Sequence, residues 1–294
     1  MIKLRGCGTA LVTPFLSDGS IDIKALCALV AWQIESGIDF LVPCGTTGET
    51  PTLSHDEWRK VIEITIEVAA GRVPIVAGAT SYCTAEAVHK ATEVSRIKGV
   101  DAILSASPYY NKPTQEGQYQ HFKAIAEAVS LPLVLYNVPG RTGVNLLPDT
   151  LLRLSKLPNI AAVKEASGLV TQIAEICATL PAFTVLSGDD AMTLPAISVG
   201  GVGVISVASN AIPKEMADLT RAALDNDWPR ARAIYQKYLA LMQANFIESN
   251  PMPVKAVLAM MGRIEENYRL PMVTMQPNLR AKLEAVARAC GVVK

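Results

Sequence analysis

Short apolar segments recur along the chain, each bounded by Gly, Pro or Asp. Many of them are nearly continuous in apolar residues rather than alternating with polar ones, which is typical of parallel strands covered on both faces. These segments predict eight strands, over Gly8–Thr13, Phe40–Cys44, Pro74–Ala79, Asp101–Ala106, Leu131–Asn137, Ile160–Glu165, Phe183–Ser187 and Gly201–Val207.

Segments with a helical spacing of apolar residues lie between these strands, among them Glu57–Ala70, Thr84–Lys98, Glu116–Val129 and Leu169–Thr179. Repeated strand-then-helix units of this kind predict an α/β fold, a (β/α)₈ TIM barrel. A doubly wound sheet is the alternative, but it usually has fewer units and a Gly-rich first turn.

The pattern changes after Leu224, where only helices are predicted. They cover Pro229–Phe246, Pro253–Met261 and Pro277–Cys290. We therefore expect residues 1–224 to form the catalytic barrel, and residues 225–294 to form a helical region that packs on the barrel or on another subunit.

The composition excludes several classes of partner. The 294 residues include 27 Lys plus Arg and 27 Asp plus Glu, so the formal net charge is zero. Nucleic acids and anionic membranes both favour a basic excess, so we expect neither as a partner. With 50% hydrophobic and 18% charged residues, the chain has the composition of a compact soluble domain rather than of a disordered one.

One stretch is long enough to test the expectation of a soluble protein. Ala191–Pro213 contains no charged residue and has the length of a membrane span. Proline, serine and several glycines interrupt it, so a helix followed by a buried strand is the better interpretation. Met1–Phe15 has no long apolar run, and we expect no secretory signal.

The cysteines and histidines argue against a metal framework. Six cysteines lie far apart without a C-x-x-C pair, as in proteins of a reducing compartment. The chain has three histidines and no H-E-x-x-H motif, so we expect no metal site. Together with the lack of a signal, this predicts a cytoplasmic protein.

Lys164 is the sharpest candidate for chemistry. It stands near the end of the sixth predicted strand, and the active site of such barrels lies at the carboxyl ends of the strands. Burial there would lower the pKa of the amine and leave it able to attack a carbonyl group. The alternative is an ion pair with Glu165, although strand alternation points Glu165 toward the helices.

Two candidates come from the fifth strand and its loop. Tyr136 closes the strand next to that of Lys164, where its phenol could transfer protons or merely cap the barrel. Arg141 follows in a Pro/Gly-shaped loop and could bind a carboxylate with two donors, although most loop arginines are simply solvated.

Three further loops carry weaker signals. Thr46 and Thr47 lie between glycines after the second strand, in a sequence that fits an anion-binding nest or a plain turn. Tyr109 and Tyr110 could line a site or pack against a second subunit. The adjacent carboxylates of Asp189 and Asp190 could bind a divalent metal, but capping the next helix is the better interpretation.

These motifs resemble the dihydrodipicolinate synthase (4-hydroxy-tetrahydrodipicolinate synthase) family, within the class I pyruvate-dependent lyases and aldolases. The resemblance extends from Gly8–Phe15 to Asn250–Lys255 and Arg269–Met272. Gly45–Glu49 and the strands of Tyr136 and Lys164 mark the superfamily. The more specific motifs are Ser107–Pro113 and Tyr136–Gly143.

The resemblance implies condensation of pyruvate with L-aspartate 4-semialdehyde to 4-hydroxy-tetrahydrodipicolinate, the first committed step of diaminopimelate and lysine biosynthesis, without a cofactor. It implies that Lys164 forms an imine with pyruvate, and that Thr46 and Thr47 hold the pyruvate carboxylate. Tyr136, Thr46 and Tyr110 would form a proton relay. Arg141 would bind the carboxylate of the semialdehyde, and Gly188 and Ile205 would line the pyruvate pocket. The resemblance also implies a homotetramer of two tight dimers, with Tyr110 reaching into the partner's site.

The sequence departs from this family at the site where lysine inhibits many members. The departing positions are Thr50, Pro51, Trp58 and Tyr82, whereas His55, Glu86 and Tyr109 match. An indole cannot accept a hydrogen bond as histidine or a carboxylate does, so we expect weak or absent inhibition by L-lysine.

Two other functions remain open at this level. The same imine chemistry could act on a sugar-derived 2-keto acid, as in N-acetylneuraminate lyase or 2-keto-3-deoxygluconate aldolase, although Arg141 suits the semialdehyde carboxylate better. The second alternative is a non-catalytic regulatory subunit. The presence of all the candidate residues argues against it.

Overall fold

The computed structural model of the chain describes residues 4–294 and contains one parallel sheet. Its strands are β1 (Gly6–Ala10), β2 (Phe40–Val42), β3 (Val76–Gly78), β4 (Ala102–Ala106), β5 (Leu133–Asn137), β6 (Ile160–Glu165), β7 (Thr184–Ser187) and β8 (Gly203–Ser206). Their order in the sheet is β2-β1-β8-β7-β6-β5-β4-β3.

The two ends of this order meet and close the sheet. Leu41 of β2 forms a parallel bridge with Ile75, and its N–H donates to the carbonyl of Pro74 at 2.9 Å. One step further along, the N–H of Gly78 donates to the carbonyl of Pro43 at 3.0 Å. The sequence-based prediction of a (β/α)₈ barrel is therefore confirmed.

Helices follow the strands and also form the carboxyl-terminal part of the chain. They are α1 (Ile23–Glu35), α2 (His55–Ala69), α3 (Thr84–Ser95), α4 (Gln115–Ala128), α5 (Pro139–Thr142), α6 (Pro148–Leu154), α7 (Val170–Thr179), α8 (Thr193–Ser198), α9 (Pro213–Leu224), α10 (Trp228–Ala244), α11 (Met252–Met260) and α12 (Pro277–Ala289). Each predicted helix is present, with its ends shifted by a few residues.

Helix α2 shows why one predicted start was late. The hydroxyl of Ser54 accepts from the N–H of Glu57 at 3.3 Å, and the Glu57 carboxylate accepts from the N–H of Ser54 at 2.9 Å. This reciprocal capping box fixes the start of the helix at His55. The apolar periodicity alone had placed the start at Glu57.

The first strand was also predicted too far along the chain. It pairs from Gly6, and the chain leaves the ladder after Leu11, whose N–H still donates to the carbonyl of Val42 at 3.1 Å, although the next residues are also buried. There the N–H of Val12 donates to the side chain of Asn210 at 3.1 Å. A side chain thus replaces the ladder partner, which the apolar pattern does not reveal.

The barrel encloses a core of its own. Phe40 fills its centre beside Gly8, its register partner, where a Cβ atom would lie 2.0 Å from the phenyl ring. This close packing means that the interior is filled rather than open, which leaves the carboxyl edge for chemistry. The side chains in this core are Leu4, Ala10, Phe40, Val42, Val76, Ala102, Leu104, Ala106, Val134, Tyr136, Val138, Ala162, Leu186 and Ile205.

The uncharged stretch Ala191–Pro213 folds as the sequence analysis predicted. It forms the short helix α8 and then the buried strand β8. Within residues 4–294, no helix combines the length and the apolar character needed to cross a membrane.

The segment after α9 packs back on the barrel of the same chain. The hydroxyl of Tyr235 on α10 donates to the carbonyl of Ala191 at 2.8 Å. Further on, the amide of Asn267 donates to the carbonyl of Phe15 at 3.1 Å. Ala191 and Phe15 follow β7 and β1, so these parts of the helical region lie against the carboxyl edge of the barrel.

Candidate active site

Lys164 and Tyr136 lie side by side at the carboxyl ends of neighbouring strands. They are register partners of β6 and β5, and the Lys164 Nζ atom lies 4.2 Å from the centroid of the Tyr136 ring. Both side chains are buried, with 5% and 7% exposure. The prediction from the order of the strands, that Tyr136 lies on the strand adjacent to that of Lys164, is therefore confirmed.

The Lys164 amine has no counter-ion in direct contact. None of the ion pairs formed within residues 4–294 includes it. Burial lowers its pKa to about 7, and Arg141 acts in the same direction, whereas the Asp190 carboxylate opposes the shift. A large fraction of the amine is therefore neutral near pH 7, as a nucleophile requires.

Glu165 points away from Lys164, as strand alternation predicts. Its carboxylate accepts hydrogen bonds from the side chains of Asn137 at 2.9 Å and Gln172 at 3.1 Å, and from the N–H of Ser167 at 2.7 Å. These partners lie between the sheet and α7. The alternative of a Lys164–Glu165 ion pair is therefore wrong.

Tyr136 is held in its protonated form. Burial raises the pKa of its phenol to about 12, and Asp189 adds to the shift while Arg141 opposes it. The hydroxyl can therefore both donate and accept a hydrogen bond over the whole neutral range, which suits a proton relay.

Gly188 borders the Lys164 side chain directly. A Cβ atom at this position would lie 3.0 Å from Lys164 Cε and 2.8 Å from the Ala166 Cβ, so only glycine leaves the lysine its present path. Ile205 is fully buried in the barrel core that also contains Tyr136. Gly188 also lines a cavity at this edge of the barrel, whereas Ile205 lines neither of the two cavities described below.

Thr46 and Thr47 begin a short 3₁₀ turn, Thr46–Gly48, directly after β2. The turn is closed by hydrogen bonds from the N–H groups of Gly48 and Glu49 to the carbonyls of Gly45 and Thr46, at 3.1 Å each. The N–H groups of the two threonines lead the turn and have no partner within it, so they can bind an anion.

Two cavities meet at Tyr136 and Arg141. The larger, of about 440 Å³, is also lined by Gly188, Asp189 and Asn250. The smaller has a volume of about 260 Å³ and reaches the threonine turn. Its wall includes Gly45, Thr46, Thr50, Pro51, Thr80, Tyr109, Tyr136, Val138 and Arg141.

Arg141 is exposed at the junction of these cavities. Its guanidinium donates one hydrogen bond, to the backbone carbonyl of Asn250 at 3.2 Å, which leaves other donors free for a ligand. A short helix, Pro139–Thr142, holds the arginine beyond the end of β5.

The two tyrosines after β4 take different positions. Tyr109 lines the smaller cavity and packs edge-on against Tyr82, with 5.3 Å between the ring centroids. Tyr110 is 88% exposed and does not line either cavity of its own chain. The single chain thus does not bring Tyr110 to Lys164.

The two neighbouring aspartates, Asp189 and Asp190, make different contacts. Asp189 caps the turn that follows it by accepting from the N–H of Ala191 at 2.9 Å, as predicted. Asp190 does not cap: its carboxylate is buried and accepts from the N–H groups of Val207 and Ala208 at 3.1 and 2.8 Å. Across residues 4–294, no cluster of three His, Cys, Asp or Glu side chains could hold a metal ion.

The sequence analysis assigned no role to three polar residues that support the threonine turn. Asn250 donates from its side chain to the Thr47 hydroxyl at 2.9 Å. Lys255 and Glu49 form an ion pair of 2.6 Å with side-chain exposures of 0% and 1%. Both Asn250 and Lys255 come from the helical region that was predicted to pack on the barrel or on another subunit, and these contacts lie within one chain.

Two of the positions that depart from the family's lysine-binding pattern, Thr50 and Pro51, line the smaller cavity. Trp58 is buried, and its indole N–H donates to the carbonyl of Gly78 at 3.0 Å. The indole therefore already uses its single donor within the protein.

Comparison with known proteins assigns the family. A model of the dihydrodipicolinate synthetase family matches residues 3–290. The chain is 74% identical to 4-hydroxy-tetrahydrodipicolinate synthase of Koribacter versatilis, covering 100% of this chain and 98% of the relative. It is 60% identical to the enzyme of the same name from Acidobacterium capsulatum, covering 99% and 97%.

Solved structures of the family have the same fold. The dihydrodipicolinate synthase of Acinetobacter baumannii, complexed with pyruvate, is 44% identical, covers 99% of this chain and 100% of its own, and superposes with a TM-score of 0.96. The synthase of Aquifex aeolicus is 43% identical with a TM-score of 0.95, at 98% and 99% coverage. The chain therefore belongs to the dihydrodipicolinate synthetase family.

Proposed function

We propose that the chain condenses pyruvate with L-aspartate 4-semialdehyde to form 4-hydroxy-tetrahydrodipicolinate, a lyase activity (EC 4.3.3.7) of the diaminopimelate route to lysine. The relatives described above carry this activity in their names. The observation that supports it most strongly is the buried Lys164 amine, which forms no direct ion pair within residues 4–294 and lies beside Tyr136.

The reaction begins with pyruvate on the threonine turn. The N–H groups of Thr46 and Thr47 bind its carboxylate, which points the keto carbon at Lys164 Nζ. The amine attacks this carbon, water leaves, and a protonated imine remains. A crystal structure of the Acinetobacter baumannii relative contains pyruvate, which supports pyruvate as the first substrate.

Carbon–carbon bond formation follows from the imine. The positive nitrogen makes the methyl group acidic, and loss of a proton gives an enamine whose carbon attacks the aldehyde. The amino group of the semialdehyde then attacks the imine carbon, closes the ring and displaces Lys164. Tyr136, Thr46 and Tyr110 of a neighbouring subunit move the protons, and the phenol of Tyr136 remains protonated for this purpose.

Arg141 selects the second substrate. Its free donors face the larger cavity, where they can bind the carboxylate of the semialdehyde with two hydrogen bonds. A sugar-derived 2-keto acid would instead need side chains that bind hydroxyl groups. The names of the relatives also favour the synthase over a sugar lyase.

A substrate comparison tests this function. Purified enzyme with pyruvate and L-aspartate 4-semialdehyde should form the cyclic product, whereas N-acetylneuraminate and 2-keto-3-deoxygluconate should release no pyruvate. The variant Arg141→Ala should raise the KM for the semialdehyde. Borohydride trapping should still reach the wild-type extent at saturating pyruvate, with its pH midpoint moved upward because Arg141 no longer lowers the pKa of Lys164. Release of pyruvate from either sugar acid at a comparable rate would overturn the assignment.

We propose that the enzyme works as a homotetramer of tight dimers in the cytoplasm, with residues 1–224 as barrel and 225–294 as helical region. The exposed Tyr110 supports a site completed by a partner subunit. The free cysteines support a reducing compartment. Sedimentation analysis should give a tetramer, and Tyr110→Phe should lower kcat while tetramers persist.

We also propose weak or absent feedback inhibition by L-lysine. The buried Trp58 indole fills a position where the family uses a group that accepts a hydrogen bond or pairs with an ammonium. Millimolar L-lysine should leave the initial rate unchanged. Inhibition by sub-millimolar L-lysine would contradict this.

A further inference from the structure

A buried ion pair lies directly behind the threonine turn. Lys255 Nζ and Glu49 Oε1 are 2.6 Å apart, and both side chains are excluded from solvent. The ammonium also donates to the carbonyl of Thr13 at 3.1 Å and lies 4.4 Å from the centroid of the Phe15 ring. Such a pair gains little stability over well-packed apolar residues, so its presence calls for a different explanation.

The pair fixes the residue that ends the turn. Glu49 has a left-handed backbone, with φ of 52°, directly after Thr46–Gly48. Its second carboxylate oxygen accepts from the N–H of Arg269 at 3.3 Å. Two segments of the helical region thus hold a residue whose backbone conformation is unfavourable for any side chain.

The turn is held from two sides. On the barrel side, the hydroxyls of Thr13 and Thr50 donate to the carbonyls of Gly48 and Gly45, each at 2.8 Å. On the side of the helical region, the ion pair is joined by Asn250, which donates to the Thr47 hydroxyl. Only the second set connects the turn to residues beyond the barrel.

We propose that Lys255 and Glu49 are positioning residues for the pyruvate carboxylate. The ion pair sets the direction of the Thr46 and Thr47 N–H groups and thereby controls the affinity for pyruvate, without taking part in proton transfer or imine chemistry. This inference rests on the proposed function, because it assigns the turn to the carboxylate of the imine-forming substrate.

The test compares Glu49→Gln, Lys255→Met and the double variant. Each single change leaves one buried charge unpaired, so it should lower the melting temperature and raise the pyruvate concentration for half-maximal borohydride trapping about tenfold or more. The double variant carries no unpaired charge and should regain most of the melting temperature, but not the affinity for pyruvate. In all three, trapping at saturating pyruvate should keep its rate and pH dependence.

A matched control comes from the same region. Arg288 of α12 forms an ion pair of 2.7 Å with Glu284 and contacts none of the described residues around Lys255 and Glu49. Arg288→Met should therefore lower the melting temperature slightly at most and leave half-maximal trapping at the wild-type pyruvate concentration.

The outcomes separate this proposal from the proposed function. A wild-type enzyme that forms no adduct would overturn the function itself. If the wild type forms the adduct and the folded double variant regains the wild-type affinity for pyruvate, the ion pair is only structural and the positioning role is wrong. If the single variants do not fold, the double variant alone decides.

Discussion

Among residues 4–294, two lysines are buried near the same edge of the barrel, and their surroundings differ. Lys164 ends a strand, touches the ring of Tyr136 and has no ion pair among the described residues. Lys255 lies in α11, donates to Glu49 and Thr13, and is more deeply buried.

This difference decides which lysine can be a nucleophile. Burial lowers the pKa of both ammonium groups, but the Glu49 carboxylate in contact opposes the shift at Lys255. A paired ammonium has no free electron pair, whereas the amine of Lys164 is available at neutral pH. Burial alone therefore does not make a reactive lysine; burial without a counter-ion does.

Replacing Lys164 gives the largest effect. In Lys164→Met, synthase activity should fall to background, because the imine cannot form. The free energy of unfolding should rise by a few kcal/mol, on the order of the cost of holding a lysine with a pKa of about 7 instead of 10.5. This gain should be complete below about pH 7 and vanish as the pH approaches the unfolded value of 10.5. Rate assays measure the loss of activity, and denaturant titrations at several pH values measure the gain in stability. A variant less stable than the wild type would contradict the low pKa of Lys164.

Replacing Lys255 should have the opposite effect on stability. Lys255→Met leaves the Glu49 carboxylate buried without its cation, which costs about 3–5 kcal/mol. A urea titration beside that of Lys164→Met measures the contrast. Equal stability changes in the two variants would remove the distinction between the two lysines.

A smaller change tests the space around Lys164. Gly188→Ala places a methyl group about 3 Å from the lysine side chain, so the lysine must move. We expect slower trapping of pyruvate and a loss of about 1–3 kcal/mol of stability from overpacking. Gly140→Ala, where a methyl group meets nothing within 4 Å, is the control for stability. Unchanged trapping in Gly188→Ala would mean that the path of the lysine is not constrained.

The smallest effect concerns pH. The neutral amine reacts, so the rate of trapping at fixed pyruvate should rise with pH through a midpoint of about 7 and then level off. The Asp190 charge raises the pKa of Lys164, so Asp190→Asn should move this midpoint to lower pH. A midpoint near 10 in the wild type would contradict the low pKa.

The sequence allowed prediction of the barrel and of the Lys164–Tyr136 neighbourhood, because both depend on local patterns. Apolar segments mark the strands, and strand alternation separates Lys164 from Glu165. In a barrel, residues at the ends of successive strands must meet. The order of the segments alone therefore brings Tyr136 next to Lys164.

Contacts between distant segments could not be predicted in this way. Lys255 is one charged residue in an apolar helix, where a lysine usually reaches to solvent, and its partner lies 206 positions away. Asp190 was expected to cap a helix, but its carboxylate binds N–H groups that follow β8. In both cases the partner is defined by the packing of segments rather than by local spacing.

Mass spectrometry of the trapped enzyme tests the central claim most directly. Wild-type enzyme treated with pyruvate and borohydride should gain the mass of one reduced pyruvate, and peptide mapping should place it on Lys164 and not on Lys255. The Lys164→Met variant should gain nothing. An adduct on Lys255, or none on folded wild-type enzyme, would contradict the account of how these two lysines differ.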